Sequence, residues 1–318
     1  MSYIDEDQAQ LTTRTAASYY ELPRRKVLDK QFSKRVSVHF GMLRSGCRFE
    51  SRGLLVTGSS RTGKTREINE VIQKFNLERV ILPNGLPARF VQCSLSSTLN
   101  WKDLGIKALE ALHYPMNAQR TQTYIWGKVL EQAKLQGVIG IHFDEAQHMF
   151  GPNKEASNTI VLDGFKALMK EASWPLVLIL SGVPELARYV QSYEQLKFLM
   201  DPIHFGDIQL PQDRDEMNRL AFALGDQVAV DFQPLSYESF YDVLAFSCNM
   251  RWGLAIELIR SALDFCVLDG KAAIGIEHIE AGFAERTGIP KGYSPFSVDD
   301  YESAFDPDRL AELMQKTS

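Results

Sequence analysis

The residues best suited to chemistry are Gly58, Ser59, Ser60, Arg61, Thr62, Gly63, Lys64 and Thr65, a complete G-x-x-x-x-G-K-[ST] pattern. The apolar run Gly53-Leu54-Leu55-Val56-Thr57 precedes it, and a helix-like stretch begins at Arg66. A phosphate-binding loop requires this order of strand, loop and helix. Glycine tolerates backbone angles closed to other residues, so successive N–H groups can turn inward and cradle phosphate oxygens at the positive end of a helix. Lys64 then reaches the β- and γ-phosphates, and the Thr65 hydroxyl ligates Mg²⁺. The pattern predicts binding of a nucleoside triphosphate.

A second group fits hydrolysis of that nucleotide. Val138-Ile139-Gly140-Ile141-His142-Phe143-Asp144-Glu145 is an apolar run ending in two carboxylates, a Walker B pattern expected on a strand neighbouring the loop. Phosphoryl transfer depends mainly on positioning and charge stabilisation, so Asp144 is assigned to the Mg²⁺ shell and Glu145 to the attacking water. Ser181 ends the apolar run Leu176-Val177-Leu178-Ile179-Leu180, at the edge where ligands bind in open α/β sheets, and is placed to sense the γ-phosphate. Arg251 opens an amphipathic helix and could reach the same phosphate. Arg188, which follows the strand ending in Ser181-Gly182 by one helical turn, is a candidate arginine finger. His142 reads as a satisfied core histidine, and Trp101, Trp126, Trp174 and Trp252 read as core residues.

Strands must carry these groups to one edge. Apolar runs near 53–57, 88–93, 138–144, 176–180 and 204–210 alternate with helical patterns near 66–75, 101–112, 123–135 and 159–172. That alternation predicts an α/β fold, a parallel sheet covered by helices on both faces. From Asp213 the pattern becomes wholly helical, at 214–224, 236–247, 251–267 and 277–286. The expected organisation is a basic extension at 1–35, an ATPase core at 36–211, a small all-helical lid at 212–287 and an acidic tail at 288–318.

The 318 residues carry a net charge of −5, which argues against a general nucleic-acid coat. The charge is uneven, however. Arg14, Arg24, Arg25, Lys26, Lys30, Lys34, Arg35, Arg44, Arg48 and Arg52 form a basic front, whereas Asp299, Asp300, Glu302, Asp306, Asp308 and Glu312 make the tail acidic. Phe296 and Phe305 stand among those carboxylates like anchors for a partner protein. Cys47, Cys93, Cys248 and Cys266 show no zinc-type spacing and read as reduced thiols. With no signal-peptide pattern and no run approaching the roughly twenty apolar residues of a membrane span, the expected location is the cytoplasm.

The P-loop, the block Asp144-Glu145-Ala146-Gln147-His148, the element Ser181-Gly182-Val183-Pro184-Glu185-Leu186 and the helix start Met250-Arg251-Trp252-Gly253 together resemble the TniB/TnsC family of AAA+ ATPases that regulate DNA transposition. The resemblance covers about residues 35–290. It implies ATP and Mg²⁺ as cofactors. It also implies homo-oligomers, rings or helical filaments, on double-stranded DNA held without regard to sequence, and a link from target-selection proteins to a transposase. Ser181 falls at sensor 1 and Arg251 at sensor 2. In the family, DNA is gripped by elements that match residues 98–102 and 119–123 here, so the resemblance makes Lys102, Arg120 and Thr121 phosphate contacts, with Lys154 a fourth. Residues 198–204 lack the arginine many relatives carry, which leaves Arg188 as the finger candidate. ExeA-like secretion ATPases share the two narrower blocks and supply one alternative, a secretion or signalling ATPase without a DNA role; the other is a replication-initiator-like clamp loader, which should carry a C-terminal winged helix.

Overall fold

The computed structural model describes residues 19–116 and 119–316, together with Thr13. The described residues divide into two compact units, Pro23–Phe205 and a second that runs from Gly206 onward and takes in those up to Leu22.

The first unit is built on a five-stranded parallel sheet ordered β2-β3-β4-β1-β5, from β1 (Gly53–Gly58), β2 (Arg89–Ser94), β3 (Val138–Asp144), β4 (Val177–Gly182) and β5 (Met200–Phe205). The helices are α1 (Pro23–Ser45), α2 (Lys64–Glu78), α3 (Trp101–Ala111), α4 (Gln122–Leu135), α5 (Glu155–Met169), α6 (Pro184–Ser192) and the short α7 (Glu194–Lys197). Strands β1, β3 and β4 are buried along their whole length, as expected for a parallel sheet covered on both faces. The α/β expectation holds, with two corrections. The Walker B strand is not beside the P-loop strand, because β4 lies between β3 and β1 and brings Ser181 into the gap. The last strand is Met200–Phe205 rather than 204–210, since Gly53 to Gly58 pair with Met200 to Phe205.

The boundaries at residue 35 and near Pro211 also move. Helix α1 is part of the first core: Leu28, Phe32 and Val36 are buried at successive four-residue steps, and the Phe32 ring lies 5.7 Å from Phe75 and 5.1 Å from Phe90. Three arginines of the basic front turn inward. Arg25 pairs with Glu67 at 3.3 Å, Arg35 with Asp201, and Arg24 donates to the Thr62 carbonyl. These charges are used to dock the helix, which removes them from any outward-facing basic patch.

His39 of α1 is buried against the Phe49 ring with Nδ1 3.0 Å from Ser51 Oγ, and burial pushes its pKa down to about 4. The unfolded chain, with a pKa of about 6.5, takes up this proton first. The stability contributed is therefore complete above about pH 6.5 and is lost as the pH falls towards 4, at no more than about 1.4 kcal/mol per pH unit. Urea unfolding between pH 7 and 4.5 should show this slope together with that of the likewise buried His142, and His39→Asn should remove the His39 share of it. An unchanged slope in the variant would remove His39 as the cause.

The second unit is helical: α8 (Arg214–Val228), α9 (Glu238–Ser247), α10 (Trp252–Leu268) and α11 (Ile276–Thr287), followed by α12 (Tyr301–Ala304) and α13 (Pro307–Lys316). Its core contains Leu220, Leu224, Phe240, Leu244, Leu258 and Phe283. Ile208 belongs to the same core and its N–H donates to Met250 O at 2.7 Å, so residues 206–211 go with the helices rather than the sheet. The acidic tail departs from expectation. Leu310, Ala311 and Met314 of α13 are buried in this core, and Phe296 packs 5.8 Å from Phe283 and 6.3 Å from Phe240. Phe296 and Phe305 pack against this core as well, and Leu310, Ala311 and Met314 share one face of α13 by their helical spacing, the face that meets α9 and α11.

Candidate active site

The C-terminal ends of β1, β4 and β3 lie side by side and deliver the P-loop, Ser181 and Asp144 to one edge. Gly63 has φ 91°, a left-handed backbone that only glycine adopts freely, and a Cβ there would lie 3.0 Å from Arg24 Nη2. Lys64 opens α2, is 4% exposed, and donates from Nζ to Gly58 O at 2.9 Å and Ser59 O at 2.8 Å. Thr62 Oγ1 closes the loop on Ser59 O at 2.9 Å. Ser60 and Thr65 face solvent, and Arg61 takes a left-handed φ of 60°. The ammonium therefore sits against two carbonyls of the loop.

Thr65 Oγ1 donates to Asp144 Oδ2 at 2.8 Å. The other carboxylate oxygen, Oδ1, accepts from Ser181 Oγ at 2.5 Å and from the Glu145 N–H at 3.0 Å. His142 Nε2 lies 2.7 Å from Ser181 Oγ. Serine has one hydroxyl proton, and Asp144 takes it, so His142 must carry its hydrogen on Nε2 and donate. Its Nδ1 is then an acceptor facing Gln92 Nε2 at 3.5 Å across the β2–β3 register. Burial pushes the His142 pKa down to about 4 despite the opposing pull of Asp144, in keeping with this neutral form. A chain of fixed polarity thus runs from Gln92 through His142 and Ser181 to Asp144.

The oxygens fit a magnesium ion. A hydroxyl and a carboxylate side by side are hard donors, and Mg²⁺ usually takes one or two protein oxygens with phosphates and waters for the rest. Among the described residues no cluster of three or more His, Cys, Asp or Glu offers a fuller cage.

Glu145 follows Asp144 with a left-handed backbone, φ 56° and ψ 40°, and its carboxylate accepts from Gln147 Nε2. Arg188 is exposed on α6, whose Leu186 and Val190 face inward. Arg251 lies in the helical unit, where it precedes α10 and pairs with Asp207 at 2.6 Å. Sequence reasoning left out Arg24, Gln92 and Gln147. Only Gln147, two residues from Glu145 inside the quoted block, carried a signal that could have found it.

The remaining candidates cluster in part. Trp101 stacks on Trp126 at 4.3 Å while Gln136 Nε2 donates to Leu112 O at 2.8 Å, so α3 and α4 run side by side with their N-termini at one end. Lys102 lies in the first turn of α3 and Thr121 caps α4 by accepting the Tyr124 N–H at 3.3 Å. Arg120 is exposed beside them with its guanidinium over the Tyr124 ring at 5.3 Å. Lys154 is exposed at a separate helix start, that of α5.

Residues 47–190 match the family model of an AAA domain. The fold is similar to that of the Aeropyrum pernix ORC2 protein, solved in ADPNP-ADP complexes, with a TM-score of 0.61 and 13% identity over 86% of this chain and 71% of that one. Cdc6p from Pyrobaculum aerophilum gives a TM-score of 0.61 and 14% identity over 86% and 70%. The Aeropyrum pernix ORC1 protein in complex with DNA gives 0.55 and 14% over 93% and 83%. No curated protein matches the chain. The likeness to the solved structures is one of fold, the AAA+ P-loop ATPase fold, and the segment that matches the AAA domain model contains the P-loop, Asp144, Glu145 and Ser181.

Proposed function

We propose that this chain is an ATP-dependent, DNA-binding AAA+ regulator of transposition, which oligomerises on duplex DNA and links target-selection proteins to a transposase. The observation that carries the reading is the meeting of its two narrowest motifs: Gln147 of the Asp-Glu-Ala-Gln-His block accepts the Val183 N–H at 3.3 Å, against Gly182. Two of the blocks that resemble the TniB/TnsC family in sequence thus meet at the ends of β3 and β4.

In this reading Gly58, Ser59, Ser60, Arg61, Thr62, Gly63 and Lys64 bind the phosphates, and Thr65 and Asp144 hold the ion. Bound Mg²⁺ would neutralise charge on the phosphates. Glu145 orients the attacking water and accepts its proton as the bond to the leaving phosphate breaks. Ser181, its hydroxyl directed by His142, positions the γ-phosphate. Arg251, once free of Asp207, binds the same phosphate, and Arg188 acts on the nucleotide of a neighbouring subunit. Lys102, Arg120 and Thr121, with the positive ends of α3 and α4, hold DNA phosphates, and Lys154 adds a contact. A cytoplasmic location follows from this role, and among the described residues no helix is long and apolar enough to cross a membrane.

DNA binding should require ATP, ignore sequence and fall steeply with salt, since backbone charge is what is neutralised. Lys102→Ala and Arg120→Ala should each reduce the slope of log affinity against log salt by about 0.9. Fluorescence anisotropy with labelled duplexes of unrelated sequence measures both. No duplex binding at any nucleotide state would sink the reading and favour a secretion or signalling ATPase.

A further inference from the structure

We infer that Gln147 is a positioning residue for hydrolysis, a two-ended clamp that sets the Glu145 carboxylate by reference to the end of β4. The inference rests on the ATPase reading of Glu145 and deepens it.

Glu145 leaves β3 through a left-handed backbone of φ 56°. For a residue with a side chain this backbone is strained and persists where the surroundings hold it. The turn runs straight into a single 3-10 turn, Ala146–Met149, which returns Gln147 towards the carboxylate two residues before it. Gln147 Nε2 donates to Glu145 Oε2, while its Oε1 accepts the Val183 N–H at 3.3 Å. A backbone N–H can only donate, so the Val183 contact decides which end of the amide faces β4 and leaves the NH₂ end for Glu145.

The seat for this amide is built into the strand. A Cβ at Gly182 would lie 2.1 Å from Gln147 Oε1, so the side chain docks against a bare Cα where any other residue would expel it. Ser181, the adjacent residue, is bonded to Asp144. One short segment, Ser181-Gly182-Val183, thus references both carboxylates: the ion-holding one through a hydroxyl, and the water-orienting one through Gln147.

Chemically, a carboxylate held through one oxygen keeps lone pairs on the other for a water proton, and the clamp removes its freedom to rotate. Small displacements of such a group reduce rates sharply without touching ground-state binding. Gln147 is half-exposed, so replacing it leaves the core intact.

The experiment uses the full chain with Mg-ATP and, where required for turnover, duplex DNA, measuring nucleotide affinity with a fluorescent ATP analogue alongside steady-state kcat. Gln147→Met keeps the volume and removes both hydrogen bonds. Gly182→Ala leaves Gln147 in place and removes its seat. Both should retain affinity within about twofold and lose about tenfold or more in kcat. In a Glu145→Gln background, Gln147→Met should cost nothing further, because the two residues act through one carboxylate. A wild-type kcat in Gln147→Met, or the same loss repeated in the Glu145→Gln background, overturns the clamp while leaving the ATPase reading standing. A wild-type chain that neither binds nor hydrolyses ATP overturns both.

Discussion

Lys64→Ala should lose nucleotide affinity by roughly a hundredfold or more, while Glu145→Gln should bind as the wild type does and turn over ~10²–10⁴ times more slowly. The two effects separate because the residues meet different parts of the reaction. The Lys64 ammonium is buried in the loop, bonded to Gly58 O and Ser59 O, and a bound phosphate would take over those charge-assisted hydrogen bonds. Each such bond is worth about 1.5–3 kcal/mol, so two account for the predicted loss. Glu145 lies beyond Asp144, tied to Gln147, and contributes nothing to holding the loop. The glutamine variant keeps the shape and removes the proton acceptor. Binding of a fluorescent ATP analogue and phosphate release, measured on both proteins after checking their melting curves, give the comparison. Equal loss of binding in two folded variants would remove the water-orienting role from Glu145.

Truncation after Thr287 should unfold or severely loosen the helical unit rather than yield a competent ATPase lacking only a partner. Removing residues 288–318 strips Leu310, Ala311 and Met314 from the second core and takes Phe296 from between Phe240 and Phe283. Burying a leucine, methionine or phenylalanine side chain contributes about 1.5–3 kcal/mol, so the loss is roughly 5 kcal/mol, as large as the whole stability of many domains. The Asn249 Nδ2 bond to Asp308 at 2.6 Å is lost with it, just before Arg251. Urea unfolding and limited proteolysis of the truncated chain measure the effect. A truncated protein with wild-type stability would restore the tail to its expected role as a free docking segment.

The proposed nucleotide site could be assembled from the sequence because the chemistry proposed for it is local: a P-loop needs eight consecutive residues between a strand and a helix, and Asp144-Glu145 needs only an apolar strand before it. The alternating pattern of apolar strands and amphipathic helices likewise announces a covered parallel sheet, since each period is imposed by the residue's own backbone geometry. The second Walker B carboxylate and Ser181 could be named on the same grounds.

What tertiary structure alone decided depends on contacts between distant residues. Strand order is one such matter, since no local pattern says that β4 enters between β3 and β1. The docking of α1 is another: its inward arginines read as a solvated basic front until Glu67 and Asp201, encountered far along the chain, neutralise them. The tail looked free because its apolar residues are few, and a few suffice when α9 and α11 already offer a matching surface. The polarity of the Gln92-His142-Ser181-Asp144 chain and the clamp of Gln147 on Gly182 have no sequence signature, because each is set by which donor meets which acceptor across the sheet. Composition and periodicity determine what a segment can become, whereas pairing between segments determines which polar groups remain for chemistry.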